Sequence, residues 1–111
     1  MKSFTFAVVV CLALAGEVRA GDVWADCTPN SVATFPDRVH VRCTPTIGGG
    51  VIYFAVNASE TAFASRFISM ATAGIVSGRT LSVSFDPIDK SGATFGCGFS
   101  DCRRAKGLVI R

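Results

Sequence analysis

The most constraining feature of this sequence is a helix pattern that runs directly into a strand pattern between residues 59 and 85. We place the residues at the helical angular step, and the apolar ones fall on one contiguous arc, the stripe that packs on a core. That arc contains Phe63, Ala64, Phe67, Ile68, Met70, Ala71, Gly74 and Ile75. We therefore expect one amphipathic helix over about residues 59–77.

The ends of this predicted helix carry recognisable signals. Asn57 or Ser59 can accept hydrogen bonds from the free amides of the first turn, and Asn57 with Glu60 can form a capping box. Glu60 also suits the positive end of the helix dipole. Gly78 favours the left-handed conformation that ends many helices.

A strand pattern follows the helix. Apolar and polar residues alternate there with a period of two, in the order Thr80, Leu81, Ser82, Val83, Ser84 and Phe85. This period predicts a strand with one buried face.

The outward face of the helix has few charges. It contains one charged residue among Thr61, Ala62, Ser65, Arg66, Ser69, Thr72, Ala73 and Val76. Solvent-facing helices usually carry more charge. This face is either a low-charge surface or a second packing surface for another helix or subunit.

The first twenty residues are typical of a secretory signal peptide. Lys2 precedes an apolar run at 4–15, and Val18, Arg19 and Ala20 form a cleavage site, so we expect cleavage after Ala20. The apolar run is too short for a membrane span. The prediction is a secreted or periplasmic protein with a single small domain at residues 21–111.

The charge balance disfavours nucleic acid as a partner. Removal of residues 1–20 lowers the number of basic residues from 11 to 9 and the number of acidic residues from 8 to 7, which leaves a net charge of about +2. Duplex-binding domains normally have a much stronger basic face. The basic residues near the end are predicted to form a solvated strand edge or a small anion-attracting patch: Arg103, Arg104, Lys106 and Arg111.

Export also decides how the cysteines are interpreted, because an exported chain meets an oxidising compartment. Four cysteines remain after residue 20, and they allow three connectivities. The favoured pairs are Cys27–Cys43 and Cys97–Cys102, since each brackets a turn-rich segment. The longer loop would contribute about 3 kcal/mol. The spacing does not match a zinc site, and neither a metal nor a cofactor is predicted.

The segment before the first clear strand is irregular. Pro29, Asn30 and Pro36 interrupt any long element between residues 22 and 36, although one further strand could lie there. Trp24 is either a core residue or an exposed contact residue, and the core is the favoured interpretation. The alternation of Val39, Val41 and Cys43 predicts a strand that presents His40 and Arg42 outward.

The middle and the end of the chain complete the pattern. Three glycines at 48–50 predict a flexible hairpin connector, and the apolar run at 51–56 predicts a central strand buried on both faces. Residues 89–98 form a polar loop, and residues 108–110 a final short strand. These elements predict a single α+β domain, stapled by disulfides, with one helix. It is either a five-stranded OB-like barrel or an antiparallel sheet with the helix across one face.

The run VIYFAVNASETAFASRFISMATAGIVSGRTLSVSF, followed by CGFSDC, resembles the B subunits of subtilase-type and pertussis-type toxins. The resemblance covers about residues 51–104. It implies an OB-fold, assembly into a pentameric ring with the helices lining the pore, and binding of host glycans. It transfers no binding residue, because residues 21–45 reproduce no glycan-contact motif. The same fragment is similar to a small exported proteobacterial protein type without an assigned role.

No catalytic constellation is apparent in the sequence, and an enzyme is not predicted. His40, Glu60 and an arginine could serve a nuclease, but only their residue types support that grouping. A strand-surface histidine and a helix-capping glutamate explain the first two.

A secreted binding module is the favoured function, with a glycan or protein ligand and a homo-oligomer through the helix face. The loops at 28–36 and 89–99 are the candidate site, with ligand-binding residues Phe35, Asp89, Thr94, Phe95 and Phe99. The alternative for each phenylalanine is that it closes an end of the barrel. The alternative function is a periplasmic interaction or inhibitor protein that docks through its basic last strand or CGFSDC.

Overall fold

The structure is a computed structural model that describes residues 21–111; the predicted signal peptide, residues 1–20, lies outside the described residues. Seven strands and one helix follow in the order β1 (Val23–Cys27), β2 (Pro29–Thr34), β3 (Arg38–Ile47), β4 (Val51–Asn57), α1 (Thr61–Ser77), β5 (Leu81–Phe85), β6 (Cys102–Arg104) and β7 (Gly107–Ile110). Short 3-10 turns occupy Gly48–Gly50 and Ser91–Phe95. Within the described part, no helix is long and apolar enough to cross a bilayer.

The strands form two sheets. One has the order β1-β5-β7 and is antiparallel; the other has the order β2-β3-β4-β6, with β4 and β6 parallel. The parallel pair arises because α1 and β5 lie between β4 and β6 and return the chain in the same direction. The predicted α+β class with one helix is therefore confirmed. Across residues 21–111 the two sheets do not close into one barrel, and the second sheet is not wholly antiparallel.

The helix lies close to its predicted position, but its start differs. It begins at Thr61, after Glu60, with no side chain capping its first turn. The Asn57 side chain instead accepts a hydrogen bond from the Ser59 amide at 2.9 Å, so it stabilises the turn that precedes the helix. The predicted stop is confirmed, because Gly78 adopts the left-handed conformation with φ 68°.

Helix α1 covers the core with its predicted face. Ala64, Phe67, Ala71 and Gly74 are buried, whereas all eight residues of the predicted outward face are exposed. A Cβ at Gly74 would lie 3.1 Å from Leu81 and 3.3 Å from Pro29, so a larger residue would separate the helix from the strands. The core between helix and sheets includes Val39, Val41, Phe54, Val56, Phe67, Leu81, Val83 and Phe85.

The segment at 22–36 forms two strands rather than the irregular structure that its prolines indicate. Pro29 is the first residue of β2, a place where a strand tolerates a missing amide, and the pairing with β3 shifts between Pro29 and Ser31. Thr28 alone separates the two strands.

Trp24 lies outside the core, and the prediction that it is buried is wrong. Cys27 is fully buried, and a strand alternates its faces, so Ala25 shares the inner face of β1 while Trp24 points outward. The exposed fraction of Trp24 is 58%.

Strand β5 is buried on both faces, although its alternation indicates only one. It is the middle strand of its sheet, and Ser82 and Ser84 are 9% and 7% exposed. Ser82 lies between Asp26 on β1 and Val109 on β7, and Ser84 lies between Trp24 and Gly107.

Both predicted disulfides are present. Cys27–Cys43 joins β1 to β3 within the main core, with a Cα–Cα distance of 5.1 Å. Cys97–Cys102 closes the turn before β6 and belongs to a second small cluster with Ala55 and Phe95.

We predict that Cys27→Ala/Cys43→Ala lowers the free energy of unfolding by about 2–4 kcal/mol, because the unfolded chain loses a crosslink. Urea denaturation of the oxidised proteins measures the change. Ser69→Ala, on the exposed face of α1, is the control and should change stability by less than about 0.5 kcal/mol. An unchanged midpoint in the double variant would show that the bridge does not stabilise the fold.

Candidate functional site

An open cleft of about 310 Å³ lies on the outer face of the four-stranded sheet. Arg38, His40 and Tyr53 come from strands β3 and β4. The opposite wall is a turn with little side-chain bulk, formed by Gly96, Gly98, Asp101 and Cys102.

The alternation of β3 explains why these strand residues face the cleft. Val39 and Val41 are buried in the core, so Arg38 and His40 point to the other side of the sheet. Tyr53 on β4 is aligned with Cys102 on β6, which brings the tyrosine beside the wall.

The loop after β5 covers only part of this sheet face. Phe95 is 4% exposed and packs in a cluster with Ala55, Cys97 and Cys102. The loop therefore shields the β4–β6 side of the face and leaves the β3–β4 side open as the cleft.

Aromatic rings form a continuous strip along the open side. The rings of His40 and Tyr53 are 4.8 Å apart, and those of Phe35 and His40 are 5.3 Å apart in an edge arrangement. Such a strip offers apolar ring faces next to polar ring atoms, the combination that small polar ligands require.

Arg38 is the cation of the cleft. Its guanidinium lies 4.3 Å from the centre of the Phe35 ring and donates to Asp37 at 3.0 Å. Its Nε is buried without a hydrogen-bond partner among the described residues. Buried donors are nearly always paired, so this N–H is an exception, and its burial leaves contact with a ligand to the other atoms of the guanidinium.

Two glycines of the cleft wall leave space for the charged side chains of Arg38 and Asp101. A Cβ at Gly96 would lie 2.5 Å from Nη1 of Arg38, and φ at Gly96 is 95°. A Cβ at Gly98 would lie 2.8 Å from a carboxylate oxygen of Asp101. Both glycines therefore make room for a charge that borders the cleft.

His40 is held in its neutral form at neutral pH. Burial lowers the pKa of His40 below 6.5, and the positive charge of Arg38 lowers it further. A neutral imidazole has one donor and one acceptor, so His40 can both donate a hydrogen bond to a ligand and accept one from it.

The predicted ligand-binding residues lie apart from one another. Phe35 is 42% exposed and packs on Arg38 and His40 at the margin of the cleft, whereas Phe95 is buried in the second cluster. Asp89 accepts from the Ser91 amide, and the Thr94 hydroxyl donates to the Ser91 carbonyl, so both stabilise their own turn. Phe99 is 64% exposed on the neighbouring loop. Phe35 therefore packs on cleft residues at the margin, and Phe95 packs on the cleft residue Cys102 from its buried side.

Sequence reasoning missed most of the cleft. It placed His40 outward but grouped it only with Glu60 and an unspecified arginine, and it did not select Arg38, Tyr53 or Asp101. Two signals were available: the alternation that puts Arg38 and His40 on one face, and the single tyrosine within the apolar run of β4. Glu60, the other residue of the nuclease grouping, bonds Arg104 at 2.8 Å and does not line the cleft.

Comparison of the chain with protein-family models, curated proteins and solved structures finds no match. Function is therefore inferred from the residues themselves. No group of three or more potential metal ligands occurs among residues 21–111.

Arg103 is buried, and the prediction of a solvated basic edge is wrong for this residue. It is 7% exposed, and its guanidinium donates to the carbonyls of Pro87, Phe99 and Cys102 at 2.7–2.9 Å. It therefore ties the loop after β5 to the turn that forms the cleft wall. The remaining cations of the predicted patch are in ion pairs: Arg104 with Glu60, Lys106 with Asp22, and Arg111 with Asp26.

We predict that Arg103→Lys lowers the free energy of unfolding by about 1–3 kcal/mol, because one ammonium cannot reach all three carbonyls. The matched control is the adjacent Arg104→Lys, which alters a half-exposed ion pair and should cost less than about 1 kcal/mol. Urea denaturation compares the two variants. Equal losses would mean that the three carbonyl contacts of Arg103 stabilise the fold no more than the surface ion pair of Arg104 does.

We predict that His40 makes stability depend on pH. The pKa of His40 is lower in the folded protein than in the unfolded chain, so unfolding takes up a proton below about pH 6.5. The free energy of unfolding should therefore fall between about pH 7 and about pH 5, and His40→Gln should flatten this slope. His40 is the only histidine in the chain, and Arg42→Gln, on the same strand, is the control. Parallel slopes for wild type and His40→Gln would contradict the prediction.

Proposed function

We propose that this protein is an exported binding module without enzymatic activity, which holds a glycan in the cleft on β3 and β4. The observation that carries the proposal is the aromatic strip between two opposite charges. The His40 and Tyr53 rings pack at a tilt of 38° in the cleft, with Arg38 and Asp101 also at its border. The two disulfides fit the oxidising compartments in which exported proteins work.

Each part of a sugar has a matching group in this cleft. The C–H face of a pyranose ring can lie on the His40 and Tyr53 rings, because both surfaces are apolar. Asp101 accepts from hydroxyl groups, and the guanidinium of Arg38, which lines the cleft, donates to a hydroxyl or an acidic substituent. Gly96 and Gly98 keep the wall low enough for a ring to enter.

The connection of the strands supports this placement of the site. Counting β1 with β2 as one bent strand, and β6 with β7 as another, gives five strands and one helix in the order of an OB-fold. OB domains bind oligosaccharides and oligonucleotides on the face of their second and third strands. In this count those strands are β3 and β4, on whose outer face the cleft lies.

The proposal extends to a homo-oligomer of the toxin B-subunit type. Its support is the outward face of α1, which is fully exposed and carries Arg66 as its one charged residue. Val76 on this face is 81% exposed. A face of small, uncharged side chains lets a second helix approach closely.

A second candidate is a protein-interaction or inhibitor module. Ile88 and Phe99 are 61% and 64% exposed, on two loops that Arg103 joins through the carbonyls of Pro87 and Phe99. Rigidly held apolar side chains of this kind are typical anchors in protein interfaces.

We predict that a glycan array identifies ligands of the labelled wild-type protein and that Tyr53→Ala and Arg38→Gln each weaken their binding by about tenfold or more. Titration calorimetry with the strongest array ligand measures the loss. Arg66→Gln, on the helix face, should bind as the wild type does, and melting curves verify that each variant is folded.

Light scattering separates the two candidate functions. A multimer with array ligands supports the glycan-binding module. A monomer with a blank array rejects it and favours the interaction module instead.

A further inference from the structure

The single tryptophan of the chain is one of its most exposed large side chains. Trp24 is 58% exposed on β1, although tryptophan is usually among the more buried residue types. It lies on the outer face of the three-stranded sheet, whereas the cleft lies on the outer face of the other sheet.

The indole extends along the sheet surface. Trp24 pairs with Ser84 on β5, and Ser84 pairs with Gly107 on β7. A Cβ at Gly107 would lie 3.5 Å from Cη2 of Trp24. The indole of β1 therefore reaches across β5 towards β7, which is two strand spacings or about 10 Å away. An indole ring perpendicular to the sheet could not reach β7. One face of the indole therefore covers Ser84 and Gly107, and the other faces solvent.

Two ion pairs lie along β1 on either side of Trp24. Asp22 bonds Lys106 at 3.1 Å, and Asp26 bonds Arg111 at 2.7 Å. All four side chains are at least a third exposed, so their remaining donors and acceptors are available to a ligand. Their charges cancel, which favours a ligand without net charge.

We infer that Trp24 is the platform of a second binding site, which takes the pyranose ring of a neutral saccharide. The C–H face of the ring lies on the solvent-facing side of the indole, where both surfaces are apolar and flat. Hydroxyls at the ring edge donate to the Asp22 and Asp26 carboxylates and accept from Lys106 and Arg111. A tryptophan ring supplies this contact area with few bonds to immobilise.

This site is independent of the cleft. No residue that lines the cleft takes part in it, and the two sites present different groups: the cleft has the His40 and Tyr53 rings, while the Trp24 platform has an indole between two ion pairs. Either site can therefore fail experimentally without the other.

Trp24 also shields Ser84 and Gly107, so the test must separate binding from stability. Trp24→Leu keeps an apolar cover over these residues and removes the flat aromatic face. Urea denaturation measures the stability that the apolar cover provides, and ligand titration measures the binding that the aromatic face provides.

The experiment uses the fluorescence of the wild-type protein, because all indole emission comes from Trp24. The probes are methyl β-D-glucopyranoside, methyl β-D-galactopyranoside and N-acetylglucosamine. We expect at least one of them to shift the emission to shorter wavelength with saturation and to protect the indole from acrylamide quenching. Tyr53→Ala should respond as the wild type does, because the cleft is a separate site.

Binding to Trp24→Leu is measured with the same probe by saturation-transfer NMR. We expect it to be about tenfold weaker or lost in the folded variant, the scale of one aromatic stacking contact. The inference is overturned when no probe changes the emission of the wild type, or when Trp24→Leu binds the probe unchanged. Loss of the emission response in Tyr53→Ala would also overturn it, because the binding would then belong to the cleft.

Discussion

The Cys27–Cys43 bridge is the constraint on which both outer faces of this protein depend. Both sulfurs are buried between the sheets, so Cys27 fixes which face of β1 points inward and Cys43 does the same for β3. A register shift of one residue exchanges the two faces of a strand. The bridge therefore determines that Trp24 and His40 point outward. The Trp24 platform and the β3 side of the candidate cleft both depend on this orientation.

Arg103 has a comparable role for the loops. A buried charge is costly unless its donors are satisfied, and here three backbone carbonyls satisfy them. Those carbonyls belong to the loop after β5, the cysteine turn and β6 itself. One side chain thus fixes the wall of the cleft against the sheet and holds Ile88 and Phe99 in place. Because this arrangement depends on a fork of donors, lysine is a poor substitute.

Features set by local sequence were predictable. The face of α1 and its stop at Gly78 follow from residues within one or two turns, and the disulfide pairs follow from export and loop composition. For the segment that forms β1 and β2, at most one strand was predicted, because Pro29 and Asn30 usually interrupt strands, and only the bulge and the start position of β2 accommodate them. The burial of Ser82 and Ser84 depends on two neighbouring strands from distant parts of the chain.

The candidate cleft combines residues around 38–53 with residues around 96–102, and no local pattern connects these segments. Alternation alone could place Arg38 beside His40, yet their selection as a site requires the opposing turn. The burial of Arg103 was equally hidden, because arginine in a short basic run usually faces solvent. Sequence therefore indicated the architecture well, but it did not single out most of the residues that line the candidate cleft.

The outer faces of the two sheets lie on different sides of a shared core, and this separation determines how the molecule would act on a cell surface. Under the two proposals, a short saccharide seated in the cleft would not reach Trp24, so two separate chains would fill the two positions. Even a single copy would then act as a crosslinker, drawing neighbouring glycoconjugates together, and its avidity would rise with their surface density.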